Sequence, residues 1–566
     1  MNLKNYFLLN NLILDIKTNI WSKERINNFY YSDGDEQENY ILELFRNTKD
    51  LSTDSVELSE KIHDWASLYY LSPQRSLLLK PFENDFRGKN ILEIGCGCGT
   101  ITRFLAECGA NIVAVEGSKK RAEIARERCR NLKNVNIICG TTEDLKERAE
   151  FDFVLLIGVL EYAKKYLGEN GDSILLEFCK LNLNKNGKLI IAIENKLGAK
   201  YISGAKEDHL FEPMVGINDS YEKEGVCTYG KYELLNKIDN LGLGFKQIFL
   251  PFPDYKFPSL VITPLGLKDF QNNLVRDLLL QVLHKDPQLL NTMYTCSLEG
   301  LMSNSCKNNM LDDVSNSFLL IASEKDFNFH GNIIAWYYSF FRKNKYCNSI
   351  VFGKDSKTFV KDLCQDKKIY IDENAYNYWN TIFSIINKKN WSVIGIYNWL
   401  EVWFLFLIKK INLSKIEFDE KVPGKYIDAT PFNLIIGKNS YFIDYEFSQE
   451  KSIDLGYLYF RAIFNSLIRV SSFEYTNHIS CKKVFDIVFK IMKIKFPSID
   501  KKTVLSYLSN EVDFLNKSSI LKVEEKTLLE KEINMRYVFD YRFNNAKFLF
   551  RRFLIVAINK LVKSFS

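Results

Sequence analysis

Residues Ile91–Thr100 read ILEIGCGCGT. The apolar run Asn90 to Ile94 predicts a strand, and ITRFLAECGA after Gly99 predicts a helix. Between them Gly95, Gly97 and Gly99 stand at alternate positions, a spacing that lets the backbone turn sharply at the N-terminus of a helix and admits a bulky ligand against the main chain. A dinucleotide fingerprint, G-x-G-x-x-G, would need glycine where Thr100 stands, so the loop points to another ligand.

Outward from the loop, NILEIG, NIVAVEG, NVNIICG, FDFVLLIG and GKLIIAIEN alternate with helical stretches such as KKRAEIARERCRNL between Asn90 and about Leu197. That alternation predicts a parallel α/β sheet, and the near-continuous apolar strands predict helices on both faces. The second strand ends at Glu116, 17 residues after Gly99, where a carboxylate can accept from both hydroxyls of a ribose. GTTEDL follows the third strand, and its Glu143 or Asp144 could accept from an adenine amino group. The fourth strand leads into IGVLEYA, whose second residue is Gly158.

Glu93 two residues before Gly95 completes E-x-G-x-G-x-G, which resembles motif I of class I S-adenosylmethionine (SAM) methyltransferases. The resemblance implies a Rossmann-like methyltransferase domain over residues 86–328, with SAM held by Glu93, Gly95, Cys96, Gly97, Gly99, Glu116, Glu143 or Asp144, and Gly158. Downstream, ENKLGAKYISGAKEDH gathers Lys196, Lys200, Lys206 and His209. A basic lining there would favour an anionic acceptor, which mainly needs positioning; a neutral hydroxyl would need a base, for which Asp208 and His209 are the candidates. Lysines on a solvated face are the plainer reading. Helices from 265 to about 317 read as an insertion before a last strand at Phe318 to Ala322.

Composition bounds the rest. The chain has 566 residues, 46% hydrophobic and 26% charged, with a net charge of +6 too dilute to imply a nucleic-acid partner. Its 12 cysteines form no C-x-x-C pair, consistent with reduced cytoplasmic thiols. The N-terminal apolar patch is interrupted by asparagines and Asp15 and lacks a cleavage signal, and no run reaches the roughly 18 apolar residues of a membrane span. Residues 1–85 read as an extension or lid.

YIDATPFNLIIGKNSYFIDYEF, in the C-terminal half, sets Asp428 and Asn433 five apart around Pro431, with Asp444 eleven residues later beyond an apolar strand. The pattern resembles the catalytic loop of protein and small-molecule kinases, with Tyr426 in place of the usual histidine and Glu446 where a DFG-type glycine would stand. The chemistry asks for these types: a carboxylate to accept the substrate proton, and an amide oxygen and second carboxylate to hold magnesium on ATP. The resemblance implies a kinase-like α+β domain over 329–470, in which Asp428 is the base, Asn433 and Asp444 bind magnesium, Lys361 orients the phosphates and Glu373 is its helix partner. A clean glycine-rich phosphate loop is missing, so a pseudokinase is the competing reading.

Residues 471–566 read as a helical region ending in NNAKFLFRRFLIVAINKLVKSFS, whose apolar spacing and flanking Arg551, Arg552, Lys560 and Lys563 suit either the inner face of the cytoplasmic membrane or docking on the preceding domain. The order of the two halves resembles bifunctional kinase/methyltransferases that cap bacterial O-antigen (lipopolysaccharide) chains, which implies phosphorylation of a terminal sugar and methylation of the phosphate. A glycan or sugar-phosphate acceptor and a glycosyltransferase partner follow from that resemblance. The alternatives are a single-activity methyltransferase with a non-catalytic kinase-like half, and a scaffold in a glycan-assembly complex.

Overall fold

The computed structural model describes residues 3–24, 31–32, 34–268, 273–290, 292–339, 342, 348–353, 375–413, 415–443, 447–476, 479, 482–519 and 522–536. Twelve strands form its main sheet: β1 (Ile13–Asp15), β2 (Ile20–Ser22), β3 (Asn90–Ile94), β4 (Asn111–Glu116), β5 (Val135–Cys139), β6 (Phe151–Ile157), β7 (Leu183–Glu194), β8 (Phe245–Phe252), β9 (Leu260–Ile262), β10 (Ser317–Ser323), β11 (Ile333–Ser339) and β12 (Asn348–Gly353). Their order is β1-β2-β5-β4-β3-β6-β7-β10-β8-β9-β11-β12. The run β5-β4-β3-β6-β7 is parallel, with β3 and β4 neighbours through Leu92↔Val113 and β3 and β6 through Leu92↔Val154.

Successive residues of these strands go to opposite cores. Leu92, Val113, Ile138 and Val154 pack on one face, and Ile91, Ile112, Ile137 and Phe153 on the other. Each strand is therefore apolar throughout because both of its faces are covered, as the sequence pattern predicts. The last strand expected at Phe318 to Ala322 is β10, which lies antiparallel between β7 and β8. Helices Asn273–Val282 and Leu298–Lys307 occupy the segment before it.

Two stretches depart from the expected layout. Residues 1–85 are more than a lid: β2 pairs in parallel with β5 through Trp21↔Ile138, so the β1–β2 hairpin forms one border of the sheet. The expected boundary at 328/329 is crossed by the sheet, because β11 pairs with β9 through Trp336↔Val261 and β12 with β11. Strand β12, in the stretch expected to open a kinase-like domain, instead extends this sheet by pairing antiparallel with β11.

Beyond it, helix Val393–Ile411 buries Trp399, Leu400, Trp403, Phe404 and Leu407. It packs on helix Val484–Lys495 and meets helix Leu455–Ile468 through Phe404 and Tyr459, helix Lys501–Ser518 packs on Leu455–Ile468, and one apolar core runs from Tyr6 to Ile533. A small antiparallel sheet joins Leu434–Ile436 to Tyr376–Asn377 and Tyr441–Phe442. Among the described residues no helix is long and apolar enough to cross a membrane. The terminal segment 544–566, along with Lys361, Glu373, Asp444 and Glu446, lies outside the described residues.

Candidate functional site

The glycine loop leaves β3 and enters helix Thr100–Glu107, whose cap residue Gly99 has φ +80° and offers no side chain to the free N–H groups. A Cβ at Gly99 would meet the Ala125 Cα at 2.9 Å, so only glycine lets helix Lys119–Arg128 pack against the loop. The Gly95 and Cys96 N–H groups both donate to the Val115 carbonyl, at 2.8 and 3.0 Å, which ties the loop to the end of β4. There Glu116 Oε2 accepts from Gly97 N at 2.8 Å and Oε1 from Ser118 N at 2.9 Å. A carboxylate has about four acceptor sites, so lone pairs remain for a ligand's hydroxyls.

Glu93 is buried behind the loop and accepts from Thr102 Oγ1 at 2.6 Å; burial lifts its carboxyl to about 8, against the pull of Thr102 and Arg75. Burial likewise pushes the Cys96 thiol well up, so it lines the loop as a neutral group. The two acidic candidates after β5 separate. Asp144 accepts from Thr141 N at 2.9 Å and caps its own turn, whereas Glu143 lines the cleft. Tyr31, Tyr70 and Arg75 line the cleft from the N-terminal side: the Arg121 guanidinium donates to Tyr70 Oη at 2.8 Å and lies 4.5 Å from the Tyr31 ring.

The cleft has a volume of about 2070 Å³ and continues past Gly158 to a second, charged end lined by Glu161, Asp208, His209 and Lys256. Gly158, at φ +72°, is needed because a Cβ there would stand 2.7 Å from Tyr255 Oη. Glu161 follows β6, Glu194 closes β7, and His209 sits in a turn whose N–H groups at 209 and 210 donate to Glu207 Oε2, both at 2.7 Å. His209 Nδ1 is 2.9 Å from Tyr162 Oη, and Nε2 is 3.5 Å from Glu194 Oε1.

Charge sets the protonation of this end. Burial opposes a charged His209, but the Glu194 carboxylate outweighs it and, with Glu161, lifts the ring to about 9. Burial and Glu194 together push Glu161 to about 8. Burial acts upward on Glu194 too, yet Lys256 and His209 hold it well below the usual carboxylate range. In this state His209 is an imidazolium rather than a free base.

Asp208 is corrected more firmly. Its Oδ2 accepts from Lys200 Nζ at 3.0 Å and from Lys256 Nζ at 2.8 Å, and the two ammoniums outweigh burial and keep it ionised below its ordinary value. It neutralises charge and is a poor base. The basic acceptor lining is corrected as well: Lys200 is buried against Asp208 and Asp254, and Lys196 pairs with Asp219 and Glu233. Lys206 alone of the three lines the cleft. Glu161, Glu194, Tyr162 and Lys256 escaped the sequence reading. Glu161 and Glu194 were findable, since both follow the carboxyl ends of parallel strands, where open α/β sheets bind their ligands.

In the C-terminal half Asp428 is 6% exposed, and its Oδ1 accepts from Arg461 Nη2 at 2.9 Å. The expected base is thus a buried ion-pair partner in this structure. Asn433 Nδ2 donates to the Asp428 carbonyl at 3.0 Å, bracing the loop that precedes strand Leu434–Ile436.

Residues 91–169 match the family described as "Methyltransferase domain". The chain carries a class I SAM-dependent methyltransferase domain. Its glycine loop, Glu116 and Glu143 on one cleft wall are a donor and acceptor set that fits SAM. The chain is 31% identical over 124 residues to a ubiquinone biosynthesis O-methyltransferase of Pelagibacter ubique, covering 22% of this chain and 48% of that protein. A ubiquinone biosynthesis O-methyltransferase of Haemophilus ducreyi is 24% identical over 192 residues, 29% of this chain and 79% of that one. The chain spans about half the length of the first curated relatives it matches. Among solved structures, a phosphoethanolamine N-methyltransferase of Haemonchus contortus with S-adenosylhomocysteine (SAH) is 17% identical, with a TM-score of 0.28 over 45% of this chain and 52% of that one.

Proposed function

We propose that the protein transfers the methyl group of SAM to an oxygen of an acceptor bound at the charged end of the cleft. One observation carries this reading: the glycine loop with Glu116, and the group Glu161–Tyr162–His209, line the same cleft on either side of Gly158. SAM supplies an electrophilic methyl on its sulfonium. The protein's part is to hold the nucleoside end on the loop and Glu116, to exclude water beneath Tyr31 and Tyr70, and to present the acceptor oxygen in line with the methyl. The O-methyltransferase names of the relatives support oxygen as the acceptor atom. Calorimetric titration of SAH tests the cofactor end. Glu116→Gln should weaken binding by about 1.5–3 kcal/mol, the worth of a hydrogen bond to a charged group, with the melting temperature kept; equal affinity in the two proteins would refute this assignment.

A second reading extends the first: the C-terminal half phosphorylates a terminal sugar with ATP and magnesium, and the phosphate is then methylated. It takes a glycan or sugar-phosphate acceptor, a glycosyltransferase partner and contact with the inner membrane face. The braced loop at Asn433 favours it; the Arg461 pair on Asp428 weighs against turnover. Saturable binding of magnesium ATP, lost in Asp444→Ala, would support it. No binding would leave residues 375–470 an acceptor-recognition unit.

A further inference from the structure

The charged end of the cleft holds more unmet bonding capacity than methyl transfer to an acceptor explains. Glu161 is 1% exposed and Glu194 fully buried, while the His209 side chain is 10% exposed. Both carboxylate oxygens of Glu161, Oε2 of Glu194 and Nε2 of His209 are buried without a hydrogen-bond partner. One ligand atom from each of the three residues lies within 4.8 Å of the others. The remaining atoms are engaged: Lys256 donates to Glu194 Oε1, and Tyr162 Oη meets His209 Nδ1. Three segments distant in sequence thus converge on one point, at a cost of about 1–3 kcal/mol for each unsatisfied group.

The surrounding charge says what belongs there. Lys200 and Lys256 have their own counter-ions in Asp208 and Asp254, and Asp286 adds a carboxylate 3.9 Å from Lys200. Lys256 is shared with Glu194 Oε1 as well, so the carboxylates here outnumber the two ammoniums, and Glu161, Glu194 Oε2 and a His209 ring that gives up its proton match a dication. The donor set excludes a hard, all-oxygen site of the magnesium or calcium kind and suits a first-row transition ion.

We propose that Glu161, Glu194 Oε2 and His209 Nε2 bind one divalent first-row transition-metal ion on the cleft floor. Tyr162 fixes the ring through Nδ1 and Lys256 fixes the Glu194 carboxylate, the outer partners such ligands require. With three protein ligands, the ion keeps positions open toward the cleft. Holding the acceptor oxygen at one of them is the use it would serve, and that use, though not the site, rests on the methyl-transfer reading.

The test is titration of Co²⁺, followed by visible absorption, and of Mn²⁺, followed by electron paramagnetic resonance, into the chelator-treated full chain, with SAH titrated in parallel. The expected result is one ion per chain, saturable uptake lost in Glu161→Gln, and uptake weakened about tenfold to a hundredfold in Tyr162→Phe, with SAH affinity retained in both variants. Wild-type protein that binds SAH but takes up no ion overturns the proposal, as does Glu161→Gln that loads like the wild type. Ion uptake without SAH binding upholds the metal site and counts against the methyltransferase reading instead.

Discussion

Arg461 and His209 are both buried cations set between two carboxylates, one in each half of the chain, and their partners are satisfied differently. Arg461 donates to Asp428 and Glu511, and Glu511 also accepts from Tyr457 and Asn465, each at 3.0 Å. Around His209, both oxygens of Glu161 and one of Glu194 are left without a partner. A network whose members bond one another rigidifies a core, whereas buried polar atoms left open cost free energy and persist where a ligand uses them. We propose an architectural role for the Arg461 group and a chemical one for the His209 group.

Removing Arg461 is the harshest way to break this contrast. Arg461→Met strands Glu511 and Asp428 without a cation and should cost about 3–5 kcal/mol, read from the midpoint of urea unfolding, with SAH affinity of the folded protein unchanged. A loss under about 1 kcal/mol would remove the architectural half of the comparison.

Glu93 sharpens it on the cleft side through pH. Burial lifts its carboxyl from 4.5 to about 8, so the folded chain holds a proton that the unfolded chain releases. Its contribution to stability is complete below about pH 4.5 and is lost as pH rises through 8. Glu93→Gln keeps a neutral acceptor for Thr102 and should flatten that decline, on the order of 5 kcal/mol, in urea midpoints measured at several pH values between the two limits. Parallel pH profiles for variant and wild type would contradict a protonated Glu93.

The smallest effect belongs to Lys196. Its partner Asp219 has a side chain 76% exposed. Solvent screens such a pair, so Lys196→Ala should change stability by less than about 1 kcal/mol; a larger loss in the same unfolding assay would show that exposed pairs in this chain carry weight that the comparison reserves for buried ones.

What the sequence discloses follows the distance over which each feature is decided. The loop from Gly95 to Gly99, the strands on either side and β10 are legible because each is a local apolar run bounded by turn residues. The β1–β2 hairpin is not, since three-residue strands carry too little pattern. β11 and β12 look like the start of a new unit until β9, more than 70 residues before β11, is seen to receive them. The same reason hides the cleft floor: Glu161, Glu194 and His209 meet because β6 and β7 are neighbours in the sheet, a fact of topology that no spacing announces. Asp208 shows the converse error, for a carboxylate beside a histidine suggests a base until Lys200 and Lys256 are found on it.

The sheet's passage across the middle of the chain has a practical consequence. A polypeptide ended before Ile333 would keep β9 but lose β11, baring a row of backbone donors and acceptors beside Val261. Such an edge templates pairing between molecules. The edge strand of the cofactor-binding half is therefore protected by residues that lie beyond it, and cutting the chain there should favour aggregation.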